Sequence, residues 1–147
     1  MEEELDQRVR IFTYDYIVRT AKAPLVAETA AALGCSAEEA RQAYTRLSES
    51  HALMPDESGE LWRVAPFSAV PTAFPVKVSE MLFYANCAWD ALGIPAALAR
   101  DASIESACAC CNERMTMDVQ DSRLNAGQGV IHVAVPARDW YKDVVFT

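Results

Sequence analysis

The 147-residue sequence predicts an α+β protein: a winged-helix-like three-helix domain, then a small mixed-sheet domain with one packed helix. Three observations carry that expectation. Residues 1–50 space their apolar side chains helically and are punctuated by Pro24 and Gly34. Residues 52–64 set two short apolar runs around a Pro-Asp-Glu-Ser-Gly turn. Beyond residue 75, short strand-like runs surround one helical stretch. Hydrophobic residues are 52% and charged residues 23%, enough apolar material for a core and too little charge for disorder.

Taken in order, Leu5, Val9, Ile11, Phe12, Tyr16, Ile17 and Thr20 approximate a stripe that predicts a helix over 4–22. Pro24 is suited to opening the next helix, over 24–33, and Gly34 to ending it. Ser36 and Glu39 have capping-box spacing and start a third helix over 37–49. A hairpin follows, with its turn between Asp56 and Gly59. Three prolines in 66–75 mark a connecting segment between an N-terminal unit (1–65) and a C-terminal one (76–147). The second unit starts with a short strand at 76–78. A helix then contains Cys87 to Leu92 and stops near Gly93 and Pro95. Strands are expected at 102–107, 115–119 and 130–135, with turns at Asn112-Glu113 and Asn125–Gly129.

Charge narrows the function. The chain has 13 Lys+Arg against 21 Asp+Glu, net −8. Helix, helix, helix, hairpin is the order of a DNA-binding winged helix, but residues 1–70 hold 7 basic and 12 acidic residues. Phosphate binding needs clustered cations, so neither a nucleic acid nor an anionic membrane is the expected partner. The acidic Met-Glu-Glu-Glu-Leu start is no signal peptide, and Asn86, Asp90 and Pro95 interrupt the longest apolar stretch. A cytoplasmic protein with reduced cysteines is expected, since five cysteines make no disulfide framework.

Two groups of residues could carry chemistry. Cys87 and Asp90 are three apart, which on a helix puts thiol and carboxyl on one face. Their neighbours Leu82, Phe83, Trp89, Leu92 and Ile94 are apolar, and burial would favour a protonated Asp90 able to donate a proton. The same spacing also fits a structural cysteine with Asp90 as a local cap. Cys108 and Cys111 have knuckle spacing, with Cys110 between them. No second pair completes a four-ligand set, so structural zinc is not expected and a soft-metal thiol cluster fits better. A Cys87–His132 pair lacks supporting spacing, and Cys35 reads as structural.

The sequence resembles the alkylmercury (organomercurial) lyases. The resemblance rests on Pro66-Phe-Ser-Ala-Val-Pro-Thr72 and Tyr84-Ala-Asn-Cys-Ala-Trp-Asp-Ala-Leu-Gly-Ile-Pro95. Arg100-Asp-Ala102 and Val133-Ala-Val-Pro-Ala-Arg-Asp-Trp140 extend it more weakly, so that it covers most of 60–147. It implies protonolysis of a carbon–mercury bond, giving a hydrocarbon and Hg(II), with no cofactor required. Cys87 and Asp90 match the family's first catalytic cysteine and its proton-handling aspartate. The family's second catalytic cysteine follows the tryptophan region; no cysteine follows Cys111 in these 147 residues. Cys108, Cys110 and Cys111 are thus the candidates to join Cys87 as mercury ligands, and turnover depends on a second thiolate being supplied. The implied partners are an organomercurial and, to accept Hg(II), small thiols or a mercuric reductase. The alternative is a non-catalytic binder or sensor of mercury, copper or zinc on the same fold.

Overall fold

The N-terminal helices form where caps and apolar spacing put them. In the computed structural model, whose described residues are 1–144, α1 spans Glu2–Thr20, α2 Val26–Leu33 and α3 Ala37–Ser48. α1 buries Val9, Thr13 and Ile17, each four apart and so on one face. Pro24 precedes the Leu25 N-cap instead of opening α2, whose start is fixed by Glu28 Oε2 accepting the Leu25 N–H at 2.8 Å. Gly34 ends α2 at φ 68°, a left-handed conformation that costs glycine little. At α3 the capping box is reciprocal: Ser36 Oγ accepts the Glu39 N–H (3.2 Å) and Glu39 Oε2 the Ser36 N–H (2.8 Å). Asp6 and Arg46 clamp α1 to α3 at 2.7 Å.

The expected hairpin is present and gains a third strand. β1 (Leu53–Pro55), β2 (Leu61–Val64) and β3 (Phe67–Ser68) make one antiparallel sheet. Asp56 Oδ1 closes the turn by accepting the Ser58 N–H at 2.8 Å. β3 lies inside the Pro-rich stretch, and Phe67 also bridges to Ala85 of the second half.

The second sheet contains β4 (Pro75–Val78), β5 (Met81–Tyr84), β6 (Ala102–Ala107), β7 (Arg114–Gln120) and β8 (Arg123–Ala126). Their order is β5-β4-β6-β7-β8. The α+β class stands, but every neighbouring pair is antiparallel, where a mixed sheet was expected. The reason is topological. Helix α4 (Ala88–Leu98) carries the chain from β5 to β6, which run parallel to each other, and β4 lies between them.

Three local expectations are corrected. α4 does not stop at Gly93 and Pro95 but runs through both to Leu98. Ala91, Ile94 and Pro95 are buried there, and that packing outweighs the breaker signals. Residues 130–135 form no strand, and β8 lies at Arg123–Ala126, overlapping the expected Asn125–Gly129 turn. The β7–β8 reversal is made by Asp121 and Ser122, both at positive φ (48° and 60°), so no glycine announced it.

One cluster of buried side chains runs from Val9, Ile17 and Tyr44 through Leu53, Val64 and Phe67 to Val76, Phe83, Ile94 and Ile104. Cys35 packs against this cluster. Among the described residues, no helix is long and apolar enough to cross a membrane.

Candidate functional site

Cys87 is not inside α4 but is its N-cap, and this changes its relation to Asp90. The Asp90 N–H donates to Cys87 Sγ at 3.5 Å, as the third residue of a helix bonds its cap. Thiol and carboxyl are therefore held together by the first turn of the helix. The helix N-terminus favours a thiolate there. Burial acts the other way and dominates, pushing the Cys87 thiol up despite hydrogen bonds from the Asp90 and Trp89 N–H groups.

Burial likewise raises the Asp90 carboxyl above the ordinary carboxylate range. A hydrogen bond from Asn86 and the charge of Arg63 oppose the shift without cancelling it. Asn86 Nδ2 donates both to Asp90 Oδ2 and to the Phe67 carbonyl, each at 3.1 Å. Both partners are acceptors, so the amide must turn its NH2 toward them. Asp90 Oδ2 thus accepts the Asn86 amide N–H, which favours Oδ1 as the place for any proton on this carboxyl. The Asn86 tie also joins β3 to the mouth of α4.

Cys87 and Asp90 open into a cavity of about 430 Å³. Met54, Ala65, Phe74, Trp89, Ile131, Val133 and Trp140 give it mostly apolar walls, and Arg63, His51 and His132 add polar groups. Arg63 lies 4.4 Å from the Trp62 ring centroid, a cation–π contact that holds the guanidinium in place. His51 stacks flat on Tyr141 at 3.9 Å, and its buried Nδ1 has no hydrogen-bond partner.

The 130–135 segment, read from the sequence as a strand, supplies cavity wall instead: Ile131, His132, Val133 and Ala134 all line it. His132 therefore shares the cavity with Cys87, although no spacing connected them. The sequence assigned no role to Arg63, His51 or Asn86. Only Asn86 carried a signal, its place inside the Asn86–Asp90 block.

The structure does not bring the later cysteines to Cys87. Cys108, Cys110 and Cys111 sit in the β6–β7 connection, and none lines the cavity. Among the described residues Cys87 is the cavity's one thiol, and no three His, Cys, Asp or Glu side chains are grouped to hold a metal ion.

The mercury-bound form of MerB2 has a similar fold, with a TM-score of 0.62 at 17% identity, over 85% of this chain and 67% of that one. No curated protein sequence matches the chain. The model of the MerB alkylmercury lyase family matches residues 67–147, the stretch that builds β3 to β8, α4 and most of the cavity wall. With more than half its length matched, the chain belongs to the alkylmercury lyase family.

Proposed function

We propose that the protein cleaves carbon–mercury bonds by protonolysis, with Cys87 holding the mercury and Asp90 delivering the proton. One observation carries this reading. A thiol and a carboxyl with a raised pKa are fixed side by side at the wall of a largely apolar cavity. A thiolate is the soft donor that mercury prefers, and electron density from sulfur makes the attached carbon more basic. The apolar walls receive the organic group, and burial against them raises the pKa of the nearby carboxyl, favouring its protonated form.

The second thiolate comes from a small thiol in solution, since Cys87 is the cavity's one thiol among the described residues. The substrate enters as R–Hg⁺ and forms an Hg–S bond to Cys87, whose proton leaves to solvent. The incoming thiolate adds to mercury. The carbon–mercury bond then breaks, and its electron pair takes the proton from Asp90 Oδ1 to give R–H. Hg(II) is left between the Cys87 sulfur and the small thiol's sulfur. The next thiol to enter gives its proton to the Asp90 carboxylate, and its thiolate displaces Hg(II) from Cys87. Small thiols or a mercuric reductase then accept the ion, as suits a reducing cytoplasm.

The test is incubation with a phenylmercury compound and excess small thiol, followed by measurement of benzene. Benzene above the protein-free control, lost in Cys87→Ala, supports the lyase. Tight mercury binding without benzene would replace it with the binder or sensor reading.

A further inference from the structure

The β6–β7 connection carries three cysteines that the cavity chemistry leaves unused. Its backbone is well determined by hydrogen bonds. The Cys108 N–H donates to the Glu113 carbonyl and the Asn112 N–H to the Cys108 carbonyl, each at 2.8 Å. The second bond spans four residues, so 108–111 wrap into a single helical turn, which Asn112 closes at φ 58°. In such a turn residues three apart face the same side, which pairs Cys108 with Cys111. The Cys111 thiol and the N–H groups of Cys110 and Cys111 all face the Cys108 sulfur. Cys110 and Cys111 are exposed and Cys108 is half-buried.

The donor count selects the ion. Among the described residues no three ligating side chains are grouped here, so a zinc ion needing four ligands is not provided for. Ions that two sulfurs in a line can satisfy are the soft d¹⁰ cations, Hg(II) and Cu(I).

We propose that Cys108 and Cys111 form a second, two-coordinate site for a soft cation of this class, separate from the Cys87 cavity. Binding Hg(II) forms two S–Hg bonds, breaks two S–H bonds and releases two protons, with no change of oxidation state. The proposal does not depend on the lyase reading.

The test uses the full chain with Cys87→Ala, so that no mercury is held in the cavity. The protein is loaded with Hg(II), equilibrated with excess glutathione and desalted, and its mercury is counted by elemental mass spectrometry. One equivalent should remain in Cys87→Ala. It should be lost when either Cys108→Ser or Cys111→Ser is added, and kept when Cys110→Ser is added. Circular dichroism on each variant confirms folding. Equal mercury in all variants, complete loss to glutathione in Cys87→Ala, or an equal loss from Cys110→Ser would each overturn the proposal. None of these outcomes bears on benzene release, so the two readings fail separately.

Discussion

Asp90 is where burial and reactivity meet. Its carboxyl titrates above the ordinary value of 3.8, first because of burial, with Asn86 and Arg63 pulling it back. In the proposed reaction it is the general acid and acts only while protonated, so the rate should fall as pH rises through the raised pKa. Asp90→Asn should lower phenylmercury cleavage by about 100-fold or more, the scale of a lost general acid. Asn86→Leu removes the strongest opposing hydrogen bond. It should move the alkaline limb of the pH–rate profile to higher pH, and an unmoved limb would deny Asn86 this influence. The same shift has a stability consequence of fixed sign. Below the ordinary value the carboxyl is neutral in both folded and unfolded chains. Above it the unfolded chain ionises first, so stability is lost as pH rises toward the raised pKa. The thermal midpoint of Asp90→Asn relative to the parent should therefore climb across that window and level off beyond it.

At the level of elements, the two sequence blocks that carry the family resemblance touch each other. A Cβ at Gly93 would lie 3.3 Å from Pro66 Cβ, so helix α4 approaches the Pro66 segment closely. Thr72 Oγ1 donates to the Ala85 carbonyl at 2.6 Å, and Asn86 reaches back to Phe67. Glycine at 93 is there for proximity, not to end the helix. Gly93→Val should push α4 off Pro66 and destabilise the fold by about 1–3 kcal/mol, as overpacking does, measured by urea unfolding. Cleavage should fall with it, because Cys87 caps α4 and Asp90 lies on its first turn.

Across the whole molecule, the helical half and the strand-rich half share one buried cluster. Phe67 is central, with ring centroids 6.5 Å from Tyr14 of α1 and 5.5 Å from Phe83 of β5. The Tyr14 hydroxyl donates to the Ala65 carbonyl at 2.8 Å, which anchors the chain just before Phe67. Far-ultraviolet dichroism and tryptophan fluorescence should accordingly report one coincident unfolding transition. Phe83→Ala should lower stability by about 3–5 kcal/mol and shift both signals together. Two separated transitions would show that the halves unfold independently.

Much of this was legible in local chemistry. Caps, helical stripes and the first hairpin depend on residues a few positions apart, so Ser36, Glu39, Gly34 and Asp56 announced their elements. The Cys87–Asp90 pair was legible for the same reason, since a helical turn joins them whether the cysteine lies inside the helix or caps it. Long-range packing decided the rest. It carried α4 through Gly93 and Pro95, and it turned an alternating Val-Ile-His-Val-Ala-Val run from expected strand into cavity wall. It also brought Arg63, His51 and His132 to Cys87 and left Cys108–Cys111 outside the cavity. Sequence spacing fixes which groups can share one turn of chain. Which turns face a common space is settled only when distant apolar surfaces choose one another.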